Sequence, residues 1–204
     1  MSSTLFPAFL KLAGRKVVVV GAGPVAASKI ESLVAAGARI TVVAPDVVAD
    51  IERAPVEIQR RSFDAADLDG AWFVVAAAPP DVNAAVRDAA NARQLFVNAV
   101  DDPPNATAYL GGIVRKHGVT LAISTDGRAP ALAGLLREGL ERLLPDDLAA
   151  WLDVSRRERE VWKRQGVAMA QRRPLLLEAI NRLYDDRSRA VPAGVGTQAQ
   201  EVTA

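Results

Sequence analysis

Gly21-Ala22-Gly23-Pro24-Val25-Ala26 is a G-x-G-x-x-A run. Its residue types and spacing suit the binding of a pyrophosphate by main-chain groups. Gly21 permits a tight turn, Gly23 lets the backbone approach the phosphates, and Ala26 is small enough for close helix–strand packing. Pro24 fits the first position of a helix, and Val25 continues that turn. The helix N-terminus would then offer free N–H groups and a partial positive charge to an anion. An acidic residue for the adenosine ribose is expected about 20 residues further on. Pro45-Asp46 closes the next apolar run. Asp46 could reach that ribose, or serve only as a turn residue after Pro45. No Arg follows immediately to hold a 2′-phosphate, which favours NAD over NADP.

Two further runs carry polar groups at strand ends. Asn98-Ala99-Val100-Asp101-Asp102-Pro103-Pro104 places Asp101 at the carboxyl end of a predicted strand. Ligands of open α/β sheets bind at that edge. A carboxylate there could act as a general base or bind a cation, or the two aspartates could simply cap the Pro-Pro turn. Ser124-Thr125-Asp126-Gly127-Arg128-Ala129-Pro130 reads as strand, Gly turn and helix start. Its hydroxyls and N–H groups could grip an anion, or merely connect two elements.

The surrounding elements follow from hydrophobic period and breakers. Residues 16–20, 38–44, 56–60, 71–78, 95–100 and 119–124 read as strands. Residues 24–36, 81–93 and 130–144 read as helices, with Asp81 a candidate cap. Residues 146–184 are helical, with their Arg-rich stretch a solvated face. Alternating strands and helices predict an α/β fold with a mainly parallel, doubly wound sheet of the Rossmann type.

Composition removes several alternatives. The 204 residues contain no cysteine and a single histidine, His117. That excludes disulfides, zinc–thiolate sites, Fe–S clusters and any site built on two histidines. His117 sits in Arg115-Lys116-His117-Gly118, which looks like a turn between elements. With 25 Lys plus Arg against 24 Asp plus Glu, the net charge is +1, so no nucleic-acid partner is expected. No apolar run reaches the roughly 18–20 residues that span a bilayer, and no signal peptide is legible, so the expectation is a cytoplasmic protein without a membrane partner.

The three motifs together, in this order, resemble the NAD-dependent precorrin-2 dehydrogenase family, which includes the N-terminal module of the sirohaem synthases. The resemblance runs from about Leu5 to Leu148. It includes Phe6-Pro7-Ala8-Phe9-Leu10, Gly21-x-Gly23-x-Val25-Ala26-x-x-Lys29, Ala36-Gly37-Ala38 and Thr41-Val42-Val43-Ala44-Pro45. It continues with Asn98-x-Val100-Asp101, Ser124-Thr125-x-Gly127-x-x-Pro130-x-Leu132-Ala133, Leu136-Arg137-Glu138 and Leu144-Pro145. The resemblance implies oxidation of precorrin-2 to sirohydrochlorin with NAD⁺ as hydride acceptor, with Fe²⁺ as a candidate second substrate for a ferrochelatase step. It places the active-site carboxylate on Asp101, for catalysis and for any metal. It places the tetrapyrrole near Ser124, Thr125, Gly127 and Arg128. It implies a homodimer, and a separate uroporphyrinogen methyltransferase upstream.

A polyacidic substrate needs local positive charge, for which Arg115, Lys116, Arg128 and Arg137 are candidates. Three departures from the family pattern stand out. Asp126 replaces a Gly, Ala129 replaces a hydroxyl residue, and Gly111-Gly112 replaces Pro-Ala or Pro-Ser, which is expected to loosen that loop. The competing reading is an NAD(H)-sensing regulatory dimer without catalysis. The expected organisation is an NAD-binding Rossmann domain over 1–108, a dimerisation and substrate segment over 109–145, a helical domain over 146–186 and a disordered tail over 187–204.

Overall fold

The computed structural model describes residues 5–190, with side chains as far as Asp185. Residues 191–204, which hold most of the expected tail, lie outside that range. The chain divides into two units. The first comprises residues up to 113 together with 122–137, and the second comprises 114–121 with the residues from 138 onward. Residues 109–145, expected to be the dimerisation and substrate segment, are divided between the two units.

The first unit is built on a five-stranded sheet. Its strands are β1 (Lys16–Val20), β2 (Arg39–Val43), β3 (Glu57–Gln59), β4 (Phe73–Ala76) and β5 (Val97–Ala99), in spatial order β3-β2-β1-β4-β5. All four pairings are parallel. β1 is Lys-Val-Val-Val-Val, and its valines are buried on both faces. β-Branched side chains pack well on a pleat, and a strand covered on both faces reads as a continuous apolar run. Helix α1 (Pro24–Ala35) buries Ala26, Ile30 and Leu33 against Val17, Val19, Val42 and Val75 on one face. A short helix, α2 (Ala49–Glu52), joins that face through Ile51. Helix α3 (Pro80–Asn91) covers the other face, where Val86 and Ala90 meet Val18, Val74, Val97 and Leu68. The sheet is doubly wound, and the order of the chain reverses between β1 and β4.

Asp81 does not cap α3. The chain enters that helix through Pro79-Pro80, and Asp81 lies in the first turn, where its charge meets the positive end of the helix. A 3-10 turn, Ala65–Leu68, carries the buried Leu68. Asp64 and Asp67 form a capping box there, and Asp67 also pairs with Arg61. The Arg61 guanidinium, chiefly through this hydrogen bond, holds the Asp67 carboxyl below the ordinary Asp value. Because the folded-state pKa is depressed, this stabilisation is present above the ordinary carboxylate range and is lost as pH falls through the folded-state value. Asp67→Asn is expected to cost about 1 kcal/mol at neutral pH once solvent screening is allowed for. Urea unfolding checks it: the gap from wild type should narrow as pH falls below the ordinary carboxylate range, and a gap undiminished in acid would contradict the assignment.

Beyond β5 a 3-10 turn at Pro103–Asn105 leads to a hairpin of β6 (Gly112–Lys116) and β7 (Val119–Ile123). Its two-residue connection is His117-Gly118, with φ of 48° and 84°. Two positive φ values mark the tight turn that matches strand twist. His117 is exposed there, as its sequence context suggests. β6 was not legible beforehand.

Gly111-Gly112 does not loosen this region. A methyl at Gly111 would lie 1.7 Å from the Ile123 carbonyl oxygen, and one at Gly112 would lie 3.0 Å from that of Ala133. The pair allows close backbone approach. Gly111→Ala should therefore cost at least about 3 kcal/mol, read as a melting temperature lower by roughly 10 °C.

Helix α4 (Pro130–Leu143) follows β7. In the second unit, α5 (Leu148–Gln165) and α6 (Met169–Ala190) are packed together. The expected single helical stretch is broken by Gly166, which adopts φ +69° as the cap of α5. The described part of the expected tail, 187–190, continues α6. Val154 and Trp162 are buried, Trp151 Nε1 donates to Tyr184 Oη at 2.6 Å, and Arg156, Arg157, Arg159, Lys163 and Arg164 are exposed. The tryptophans pack, and the arginine run is solvated.

Candidate functional site

The carboxyl ends of β1, β4 and β5 form one rim. The Gly21 amide donates to Val43 O at 3.0 Å, Ala77 to Val20 O at 2.8 Å, and Val100 to Ala76 O at 2.9 Å. The glycine turn, the Ala77-Ala78 loop and the Asp101 loop therefore leave the sheet side by side.

The two motif glycines answer to different requirements. Gly21 has φ +98°, and a methyl there would lie 2.2 Å from Ala77 O. The fold itself demands glycine at that position. Gly23 has an ordinary φ of −83°, and a Cβ there would meet nothing within 4 Å. Nothing within the chain demands glycine at 23, whereas a phosphate lying against the backbone would. Gly23 caps α1 with no side chain, Pro24 occupies the first turn, and Val25 is 47% exposed. The Val25 and Ala26 amides are thus among the helix's first donors, directed at an open cradle that suits a pyrophosphate. Ala26 is fully buried, as close packing requires. The Val48 amide donates to Ala22 O at 3.1 Å, which draws the loop after β2 toward the turn. Pro45 and Asp46 lie exposed on that loop.

The aspartate pair is divided. Asp101 is exposed, has φ +55°, and has no side-chain partner among the described residues. Asp102 accepts from Asn83 Nδ2 at 3.1 Å and from Asn105 Nδ2 at 2.8 Å, both through Oδ2. Asp102 thus ties down the Pro-Pro turn, while the Asp101 carboxylate is left open at the rim. In β5, Asn98 Nδ2 donates to Ala108 O, and its buried Oδ1 has no partner among the described residues.

The Ser124–Gly127 turn lies against the segment that follows Asp101. Gly127, at φ +71°, packs so closely on Tyr109 that a methyl would lie 3.1 Å from its ring and 3.9 Å from Pro103. Ser124 Oγ accepts from the Asp126 amide at 3.2 Å, and Thr125 Oγ1 accepts from the Ala129 amide at 3.3 Å. The hydroxyl oxygens shape the turn, and their protons remain to donate. Asp126 holds φ +54°, the conformation that a glycine adopts without strain.

The basic residues are not gathered in one unit. Arg128 and Arg137 belong to the first unit, and Arg115 and Lys116 to the second. Lys116 Nζ is engaged by Asp146 and Leu144 O, each at 2.8 Å. Sequence reading did not identify Asn83, Arg87, Asn105 or Tyr109. Asn83 carried a signal, as a polar residue in helical register with the buried Val86 and Ala90. Among the described residues, no group of three or more His, Asp or Glu could hold a metal ion. No helix among them is long and apolar enough to cross a membrane.

A parallel sheet of order β3-β2-β1-β4-β5, with a glycine turn opening α1 at the point where the order reverses, defines a Rossmann-type dinucleotide-binding domain. The chain belongs to the family described as "Putative NAD(P)-binding", whose model matches residues 8–112. It is similar to "Siroheme synthase 2" of Aeromonas hydrophila, with 41% identity over 170 residues, covering 82% of this chain and 36% of that protein. It is also similar to the "Siroheme synthase" of Photorhabdus laumondii, with 37% identity over 180 residues, covering 86% and 38%. The chain therefore spans a little over a third of those relatives' length. Among solved structures it resembles SirC, a precorrin-2 dehydrogenase, with a TM-score of 0.67 and 28% identity, covering 86% of this chain and 89% of that one. The resemblance carried by the motifs thus extends over most of the chain.

Proposed function

We propose that this protein is an NAD-dependent precorrin-2 dehydrogenase of sirohaem biosynthesis. The observation that carries the reading is the open Asp101 carboxylate on the same rim of the sheet as the Gly23 cradle, in a chain that matches SirC over most of its length. Precorrin-2 and NAD⁺ give sirohydrochlorin, NADH and a proton. Bound NAD⁺ supplies the hydride acceptor. The Gly23 backbone and the Val25 and Ala26 amides hold the pyrophosphate, and Asp46 holds the ribose. Asp101 takes the proton released as the macrocycle is oxidised. Ser124, Thr125, Gly127 and Arg128 face the acidic tetrapyrrole, which a uroporphyrinogen methyltransferase supplies.

Along α4, Leu132, Leu135, Leu136 and Leu143 are exposed by 47%, 66%, 44% and 78%. An apolar stripe of this kind supports a homodimer.

Mixing the protein with precorrin-2 and NAD⁺, without metal, tests the reading by absorbance. Stoichiometric NADH with sirohydrochlorin is expected. NAD⁺ binding without NADH would overturn it and leave an NAD(H)-sensing dimer. Adding Fe²⁺ as substrate to preformed sirohydrochlorin tests the chelatase step separately, with Asp101 the metal-binding candidate.

A further inference from the structure

We infer that Asp102 is a positioning residue that sets the direction of the Asp101 carboxylate; this rests on the dehydrogenase reading above. A continuous polar strut underlies the rim. The Ala78 amide donates to Asn83 Oδ1 at 3.1 Å, and Asn83 Nδ2 donates to Asp102 Oδ2 at 3.1 Å. From the other side Asn105 Nδ2 donates to the same oxygen at 2.8 Å, and Arg87 Nη1 donates to Asn105 Oδ1 at 2.6 Å. Asn83 is 2% and Asn105 7% exposed, so water does not compete for these groups.

The strut starts at the backbone that packs on Gly21 and ends one residue from Asp101. Asp101 sits at φ +55°, which a non-glycine residue keeps only where its surroundings enforce it. Donors from α3 and from the 103–105 turn converge on one carboxylate oxygen and fix the peptide between Asp101 and Asp102. The strut therefore sets the spacing between the dinucleotide turn and the proton acceptor. Asp102 Oδ2 is itself occupied by the two amide donors.

The test compares Asp102→Ala and Asp102→Asn in steady-state turnover of precorrin-2. Asn retains an acceptor oxygen for both donors, while it removes the charge and exchanges the other oxygen for an NH2 group. Misplacing a reacting group by about 1 Å can cost on the order of 100-fold, and a loss of that size in kcat is expected for Asp102→Ala. KM for NAD⁺ should stay within roughly twofold, and Asp102→Asn should keep kcat within roughly threefold of wild type. If Asp102→Ala does not fold, Asn105→Ala removes one donor and should lower kcat by roughly tenfold. Unchanged kcat in the folded variant, or equal losses in Asp102→Ala and Asp102→Asn, overturns the inference. Wild type and Asp101→Asn are run alongside. No turnover by wild type refutes the dehydrogenase reading and this inference with it, whereas turnover by Asp101→Asn at the wild-type rate removes Asp101 as proton acceptor and this inference with it, and leaves the dehydrogenase reading standing. An inert Asp101→Asn beside a fully active Asp102→Ala refutes this inference alone.

Discussion

Gly23→Asp is expected to weaken NAD⁺ binding by at least about 100-fold, or roughly 2.7 kcal/mol, while leaving the melting temperature close to wild type. The separation of the two effects follows from the geometry. A Cβ at this position would meet nothing within 4 Å, and φ is an ordinary −83°. The folded chain therefore tolerates a side chain there. A pyrophosphate does not, because the new carboxylate would fill the cradle and set a negative charge against the phosphates. Gly21→Ala should behave in the opposite way. Its methyl would lie 2.2 Å from Ala77 O at a residue with φ +98°, so it should lose stability first. Titration calorimetry and thermal melting of both variants check the pair. An unchanged dissociation constant in Gly23→Asp would remove the turn from the binding site.

Asp101→Asn is expected to lower kcat by about 10²- to 10⁴-fold, the usual contribution of a positioned general base, with NAD⁺ affinity unchanged. Asn is nearly isosteric with Asp and tolerates the left-handed conformation, so this change tests the charge and not the turn. The exposed Asp101 side chain has no hydrogen-bond partner among the described residues for the substitution to break. Stopped-flow absorbance in the NADH band, with NAD⁺ saturating, reads the step. Wild-type turnover would assign the proton to another acceptor, such as a nitrogen of the tetrapyrrole.

Most of the sheet was legible because its signals are local. Val17 to Val20 and Phe73 to Ala76 are uninterrupted apolar runs, and Ile40 to Val43 is broken only by the buried Thr41, as expected of strands covered on both faces. β6 escaped because it lacks that covering. Its residues include Arg115 and Lys116, only Val114 is buried, and two glycines stand at its entrance. The break in the C-terminal helical stretch at Gly166 was hidden because a glycine within a helical pattern does not by itself reveal whether it terminates the helix.

The sequence by itself determined the doubly wound α/β architecture and the glycine turn that opens α1, because hydrophobic period and the G-x-G-x-x-A spacing act over a few neighbouring residues. It also placed Asp101 at the carboxyl end of a strand and the Ser124–Gly127 turn between a strand and a helix. Only the tertiary structure decided which of two adjacent aspartates is open. That choice depends on Asn83, 19 residues from Asp102, and on Asn105. It likewise decided that Gly21 answers to Ala77 and Gly111 to Ile123, while Gly23 answers to nothing in the chain. Burial and hydrogen bonding depend on what folding brings alongside a residue, and the residue's own type and nearest neighbours do not contain that information.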